Sequence, residues 1–277
     1  MSALAVTVAD GVAHLRLNRP EAGNAMDPAF WRELPRMVRG LDAGGGVRCL
    51  VITGEGRHFT TGMDLKVFAS ANAPSPRGPD PATSAEAFRA MVLRLQDAFT
   101  ALEQARFPVL AAVHGACVGA GVDMIAACDV RYAAADAFFQ VQEINIGMTA
   151  DVGTFPRLCR LIPDGWVREL AYTGRRLDAR TAERLGLVNA VFDTREAMVE
   201  HALAVAREIA TKAPLAVAGS KRMITYARDH ATADALDYVA TWNAAMFSPE
   251  QLAEAFRAQQ EGRAAEHPDL KPIPEGL

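Results

Sequence analysis

FPVLAAVHGACVGAGVDMIAACDVRYAA, residues 107–134, is the stretch whose reading decides the fold. Residues 108–114 form an apolar run of strand length, the glycines from Gly115 to Gly119 supply a turn, and 119–127 has the length and composition of a short helix. Val130 to Ala133 is apolar again. Strand, turn, helix and strand within one segment point to an α/β fold with crossover helices.

Outward from this segment, residues 4–17 alternate apolar and polar around Asp10-Gly11, which predicts strands at 4–9 and 12–17 joined by a tight hairpin. Asp27 followed by Pro28 has the form of an N-cap and first helical residue, so a helix runs from there toward Gly40 with a kink expected at Pro35. VRCLVITG, 47–54, is a β-rich run stopped by glycine. Four prolines make 70–83 a surface segment, and a helical period begins at Ser84 and continues to Ala105. FFQVQ, 138–142, and VNAVF, 188–192, are strand-like. Residues 153–186 read as helices broken near Pro163 and Gly174, and four more helices follow near 194–212, 214–228, 231–246 and 248–262. The apolar faces of this tail exceed what the α/β part can cover, so the tail is expected to cover the site or pack on a neighbouring subunit.

With 277 residues, half of them hydrophobic, the chain can bury a core without covalent staples. A formal charge of -4 and a pI near 5.9 argue against a general nucleic-acid surface. Cys49, Cys117, Cys128 and Cys159 are scattered through apolar segments without ligand spacing, which predicts buried, reduced thiols and no metal site. The opening MSALAVTVADG lacks the pattern of a secretory signal, no run of about 20 apolar residues appears, and the closing PEGL is no peroxisomal address. A cytoplasmic location is the resulting expectation.

Glu143 and Asp151 lie in a nearly uncharged stretch, QEINIGMTAD, shortly after a third acid, Asp123. Carboxyl groups in apolar surroundings, and near one another, hold their protons more tightly, so proton transfer is the first chemistry to consider. Singly, each has a plainer reading: Asp123 complements a helix dipole, and Asp151 caps the next helix. Their separation cannot be read from spacing. The small residues around Gly115, Gly119 and Gly121 let backbone approach a ligand closely, and the first N–H of a helix at Ala120 is placed to hold an oxyanion. The turn Thr61-Gly62-Met63-Asp64 offers a second donor in the N–H of Met63. GACVGAG lacks the dinucleotide fingerprint.

Three segments together resemble the crotonase family, the enoyl-CoA hydratase/isomerase superfamily, over nearly the whole chain: LNRPEAGNAM (17–26), FTTGMDL (59–65) and AAVHGACVGAGVDMIAACDVRYA (111–133). FFQVQEINIGMTADVGTFPRL (138–158) is similar to the dienoyl-CoA isomerases within it, which carry acids at the positions of Asp123, Glu143 and Asp151. The resemblance implies a spiral of strand-strand-helix repeats over 1–195 and a C-terminal helical trimerisation or lid region over 196–277. It also implies conversion of 3,5-dienoyl-CoA to 2,4-dienoyl-CoA. In that scheme the N–H groups of Met63 and Ala120 form the oxyanion hole, Glu143 is the base at C2, Asp151 the acid at C6, and Asp123 tunes Glu143. Acyl-CoA binding falls to Glu21, Ala22, Ala25, Gly62, Asp64, Leu65 and Lys66. No metal or separate cofactor is implied, since coenzyme A is part of the substrate, and no nucleic-acid or membrane partner; a homotrimer or homohexamer is. The alternatives are an enoyl-CoA hydratase or another acyl-CoA-specific crotonase activity, and a scaffold that only binds acyl-CoA.

Overall fold

The computed structural model describes residues 2–64, 67 and 80–274. β1 (Leu4–Ala9) and β2 (Val12–Leu17) form the expected hairpin, with Ala9 opposite Val12. Asp10 and Gly11 both take positive φ, 51° and 75°, the conformation whose twist matches the flanking strands. Every strand added after β2 is parallel to its neighbour: β3 (Cys49–Gly54), β4 (Val109–Val113), β6 (Val130–Ala134) and β9 (Ala190–Phe192) complete the order β1-β2-β3-β4-β6-β9.

Parallel strands covered on both faces need apolar residues at every position, and β3 and β4 are buried throughout. Alternate residues serve opposite layers. Leu50, Ile52, Val109 and Ala111 join Phe30 and Leu34 of α1 (Pro28–Gly44) and Phe99 and Leu102 of α2 (Pro81–Gln104). Val51, Leu110, Ala112 and Tyr132 meet Met198, Ala202 and Ala206 of α7 (Arg195–Ala210). The helical region expected from 196 onward therefore begins with a helix that lies on the sheet, its small residues four apart permitting close approach. Beyond it, α8 (Pro214–Asp229), α9 (Thr232–Met246) and α10 (Pro249–Glu261) leave Ile224, Leu236, Phe247 and Phe256 exposed.

A second, three-stranded sheet has the order β5-β7-β8: β5 (Ala116–Val118), β7 (Phe138–Gln140) and β8 (Leu177–Asp178). Between its strands lie α3 (Ala120–Ala126), α4 (Thr154–Leu158) and α5 (Asp164–Thr173), with α6 (Ala179–Leu185) following β8.

Several sequence expectations change. Residues 116–118, expected as part of a glycine turn, are a strand, because Ala116 to Val118 pair with Phe138 to Gln140. α1 runs on to Gly44 with Pro35 inside it. α2 starts before Ser84, since Pro81 takes the first helical position and the carboxylate of Asp80 accepts the N–H of Ala82 at 3.2 Å. Cys159 is exposed, whereas the other three cysteines are buried, and all four are free. Residues 70–79 of the proline-rich segment lie outside the described residues. Among the described residues no helix is long and apolar enough to cross a membrane, and no group of three His, Cys, Asp or Glu side chains is placed to hold a metal ion.

Candidate active site

A cavity of about 540 Å³ opens beside the second sheet, and Gly62, Met63, Gly119, Ala120, Asp123, Glu143 and Asp151 all line it. Residues far apart in the chain, and on segments too irregular for periodicity to align, thus face one space.

The amide donors are set by backbone pairing. Met26 N–H donates to the carbonyl of Gly62 at 2.8 Å and Asp64 N–H donates to that of Met26 at 3.1 Å. In this parallel bridge between Met26 and Met63 the N–H of Met63 points away from Met26. Gly62 has φ +90°, and a Cβ there would lie 2.6 Å from the Val118 carbonyl oxygen and 3.5 Å from the nitrogen of Ala120. The turn therefore sits beside the start of α3, where Ala120 is the first helical residue and its N–H has no intrahelical acceptor. Ala120 is absent from the positive-φ residues, so its methyl group is accommodated without strain. Among the described residues neither the Met63 nor the Ala120 N–H donates to another group.

Of the three acids, Asp123 is the most deeply placed, at 1% exposure. Its Oδ1 accepts the N–H of Thr154 at 2.5 Å and its hydroxyl at 2.7 Å, while Oδ2 is buried without a partner. Burial pushes this carboxyl up to about 7; the Thr154 hydrogen bonds pull the other way, and the charges of Glu143 and Asp151 add to the rise. Asp123 thus stabilises the start of α4 as well as its own helix. Glu143 opens a 3-10 turn, Glu143–Ile146, and its Oε2 is also buried without a partner. Burial raises its carboxyl above the ordinary range, and Asp151 raises it further. Asp151 is half-buried and likewise raised by burial. It does not cap α4: the N-cap position is Gly153, which has no side chain to do so. Three carboxyl groups whose protons are held more tightly than in water can exchange protons with a bound ligand near neutral pH.

The other sequence candidates lie elsewhere. Glu21 and Ala22 form the turn Pro20–Ala22, and Ala25 receives Arg19 Nη1 on its carbonyl at 2.7 Å. Asp64 pairs with the same arginine at 3.4 Å. These residues buttress the Gly62–Met63 turn but do not line the cavity. Leu65 and Lys66 fall outside the described residues. Sequence reasoning missed Thr154, for which an uncharged polar residue three positions after Asp151 was the available signal. His58 also lines the cavity, and its Nδ1 is satisfied by the N–H of Ala116 at 3.2 Å.

A fold of two sheets with this pair of donors defines a class, and the chain belongs to it: the profile described as Enoyl-CoA hydratase/isomerase matches residues 7–269. More particularly, the chain is 43% identical over 253 residues to the Delta(3,5)-Delta(2,4)-dienoyl-CoA isomerase, mitochondrial, of Homo sapiens, covering 91% of this chain and 77% of that one. It is 41% identical over 248 residues to the peroxisomal isomerase of the same name from Arabidopsis thaliana, covering 90% and 89%. Among solved structures, an enoyl-CoA hydratase of Mycobacterium smegmatis superposes with a TM-score of 0.85 at 29% identity, covering 96% of this chain and 99% of that one. The expectation of a cytoplasmic location is overturned by these relatives, whose names put them in mitochondria and peroxisomes.

Proposed function

We propose that the protein is a dienoyl-CoA isomerase that converts 3,5-dienoyl-CoA to 2,4-dienoyl-CoA. The observation that carries this reading is the presence of all three acids, Asp123, Glu143 and Asp151, on the wall of the cavity that also receives Met63 and Ala120. The thioester oxygen accepts both N–H groups, which stabilise the negative charge that develops there when Glu143 removes a proton from C2. The resulting dienolate spreads its charge along the conjugated chain. Asp151, protonated, delivers a proton to C6, and the double bonds move one position toward the thioester. Glu143 ends protonated and Asp151 ionised, so the pair exchanges its proton before the next turnover. Asp123 lines the same cavity beside Glu143 and holds α4 in place through Thr154.

Every step uses carboxyl groups and amide donors, so the reaction proceeds without a metal or separate cofactor, coenzyme A entering as part of the substrate. Acyl-CoA binding is assigned to Gly62 on the cavity wall, to Leu65 and Lys66, which follow it in the sequence, and, through support of the same turn, to Glu21, Ala22, Ala25 and Asp64. The apolar surface of Ile224, Leu236, Phe247 and Phe256 supports assembly of the C-terminal helices into a homotrimer or a pair of trimers. Light scattering on a sizing column measures that state.

Hydration is the second reading, favoured by the names of the solved structures. A carboxyl at 151, raised by burial, favours isomerisation, because water addition to a 2-enoyl-CoA requires no acid at C6. Ultraviolet scanning separates the two: the purified protein should build up 2,4-dienoyl-CoA absorbance from a 3,5-dienoyl-CoA. Loss of crotonyl-CoA absorbance with no dienoyl signal would replace this reading by hydration.

A further inference from the structure

An acid that must meet C6 has to stand at a set distance from the oxyanion donors, yet Asp151 belongs to an irregular segment between the turn Glu143–Ile146 and α4. Three residues later Thr154, wholly buried, donates both its N–H and its hydroxyl to one oxygen of Asp123. Asp123 is on α3, the helix that begins with Ala120. The first turn of α4, with Val152 and Gly153 leading into it, is thereby tied to the helix that carries an oxyanion donor. Gln96 of α2 holds the same segment from its other flank, donating Nε2 to the carbonyl of Asp151 at 2.7 Å.

We propose that Thr154 is a positioning residue that registers the Asp151 end of the site against the oxyanion helix through Asp123. A hydroxyl in a fully buried place, spent on a carboxylate that already has the backbone N–H, is more than helix initiation needs, since one acceptor satisfies the N–H. The inference rests on the reading of Asp151 as the far-end acid.

Two activities of the same protein separate this role from general loosening. Exchange of the C2 proton of 3,5-dienoyl-CoA with deuterated solvent needs only Glu143 and the amide donors, whereas isomerisation also needs Asp151. Thr154→Val, which keeps the volume and removes the hydroxyl, should lower kcat for isomerisation ~10-fold, the effect of one hydrogen bond to a charged group, with KM and C2 exchange each within about twofold of the parent. Thr154→Ser should restore isomerisation. Thr154→Ala removes the same hydroxyl without adding a methyl and serves if the valine does not fold. Unchanged isomerisation in the valine and alanine variants, an equal fall in both activities, or a serine variant no better than valine would each overturn the proposal. Parent protein that exchanges C2 but does not isomerise instead removes the function assigned to Asp151, and this inference with it.

Discussion

The carboxylate of Glu143 lies against the α-carbon of Gly119, so that a Cβ built on Gly119 would stand 3.1 Å from Oε1. Gly119 also has φ +53°, a conformation in which a side chain is strained. Backbone freedom and space for the Glu143 carboxylate are therefore one requirement at one position. Gly119→Ala should reduce kcat/KM for isomerisation by ~100-fold or more, through displacement of Glu143 and of the neighbouring N–H of Ala120. It should lower stability by roughly 1–2 kcal/mol. Steady-state kinetics and urea unfolding check the two parts, and near-normal turnover would mean that Glu143 does not work from this place.

The two outer acids should fail in different ways. Glu143→Gln should depress both C2 exchange and isomerisation by ~100-fold or more, because no proton leaves C2 without the base. Asp151→Asn should depress isomerisation to the same extent while exchange at C2 continues. Nuclear magnetic resonance of the substrate in deuterated buffer follows both, and full isomerisation in either variant contradicts the assignment.

The same division governs pH. As the proposed base, Glu143 must be ionised to act, and its proton affinity is raised by burial and by Asp151, so activity should fall as pH drops through that raised value. As the proposed acid, Asp151 must be protonated, and burial raises its affinity too, so isomerisation should fall as pH climbs through the Asp151 value. Isomerisation should follow a bell, whereas C2 exchange should show the acid limb alone. An exchange profile with the same alkaline fall as isomerisation would detach that limb from Asp151.

Much of this arrangement was legible in the sequence where local chemistry decides structure. The hairpin at Asp10-Gly11, the Asp27-Pro28 helix start and the four C-terminal helices follow from turn residues, caps and apolar period, and their observed limits differ little from those expected. β5 was not legible, because a three-residue strand between two glycines gains its identity only from pairing with β7. The cavity was legible in its parts but not in its assembly: Met63, Ala120 and Glu143 were chosen by motif, whereas their common space depends on the second sheet. Thr154 was missed since its partner is 31 residues away and no periodicity links them.

Asp123 makes stability depend on pH with a definite sign. Its folded value, raised from 3.8 to about 7, exceeds that of the unfolded chain, so the folded protein binds the proton more tightly. The stability this provides is complete below about pH 4 and is lost as pH rises through about 7. Asp123→Asn keeps an oxygen for the two Thr154 donors but cannot ionise. Relative to the parent, its stability should improve by on the order of 4 kcal/mol between pH 4 and pH 8. Differential scanning calorimetry at both pH values tests this, and a parent-to-variant difference that does not change with pH would show that Asp123 is not held above its unfolded value.

Lys221 couples the C-terminal helices to the catalytic core without touching the cavity. It is 7% exposed, and its Nζ donates to the carbonyls of Leu102 at 2.8 Å and Phe107 at 3.0 Å while pairing with Asp129 at 2.8 Å. Asp129 in turn accepts the N–H of Val109 at 2.7 Å, so one ammonium on α8 joins the end of α2 to the start of β4. Lys221→Met retains the stem but leaves two carbonyls and a carboxylate short of a donor, and it should destabilise the fold by roughly 3–5 kcal/mol. Because Lys221 is not among the cavity residues, kcat of the folded fraction should remain within about threefold of the parent, a difference of under 1 kcal/mol in barrier. Urea unfolding and kinetics on the same preparation measure the two effects. A large fall in kcat with unchanged stability would mean that α8 acts on the reaction itself rather than on the frame that carries it.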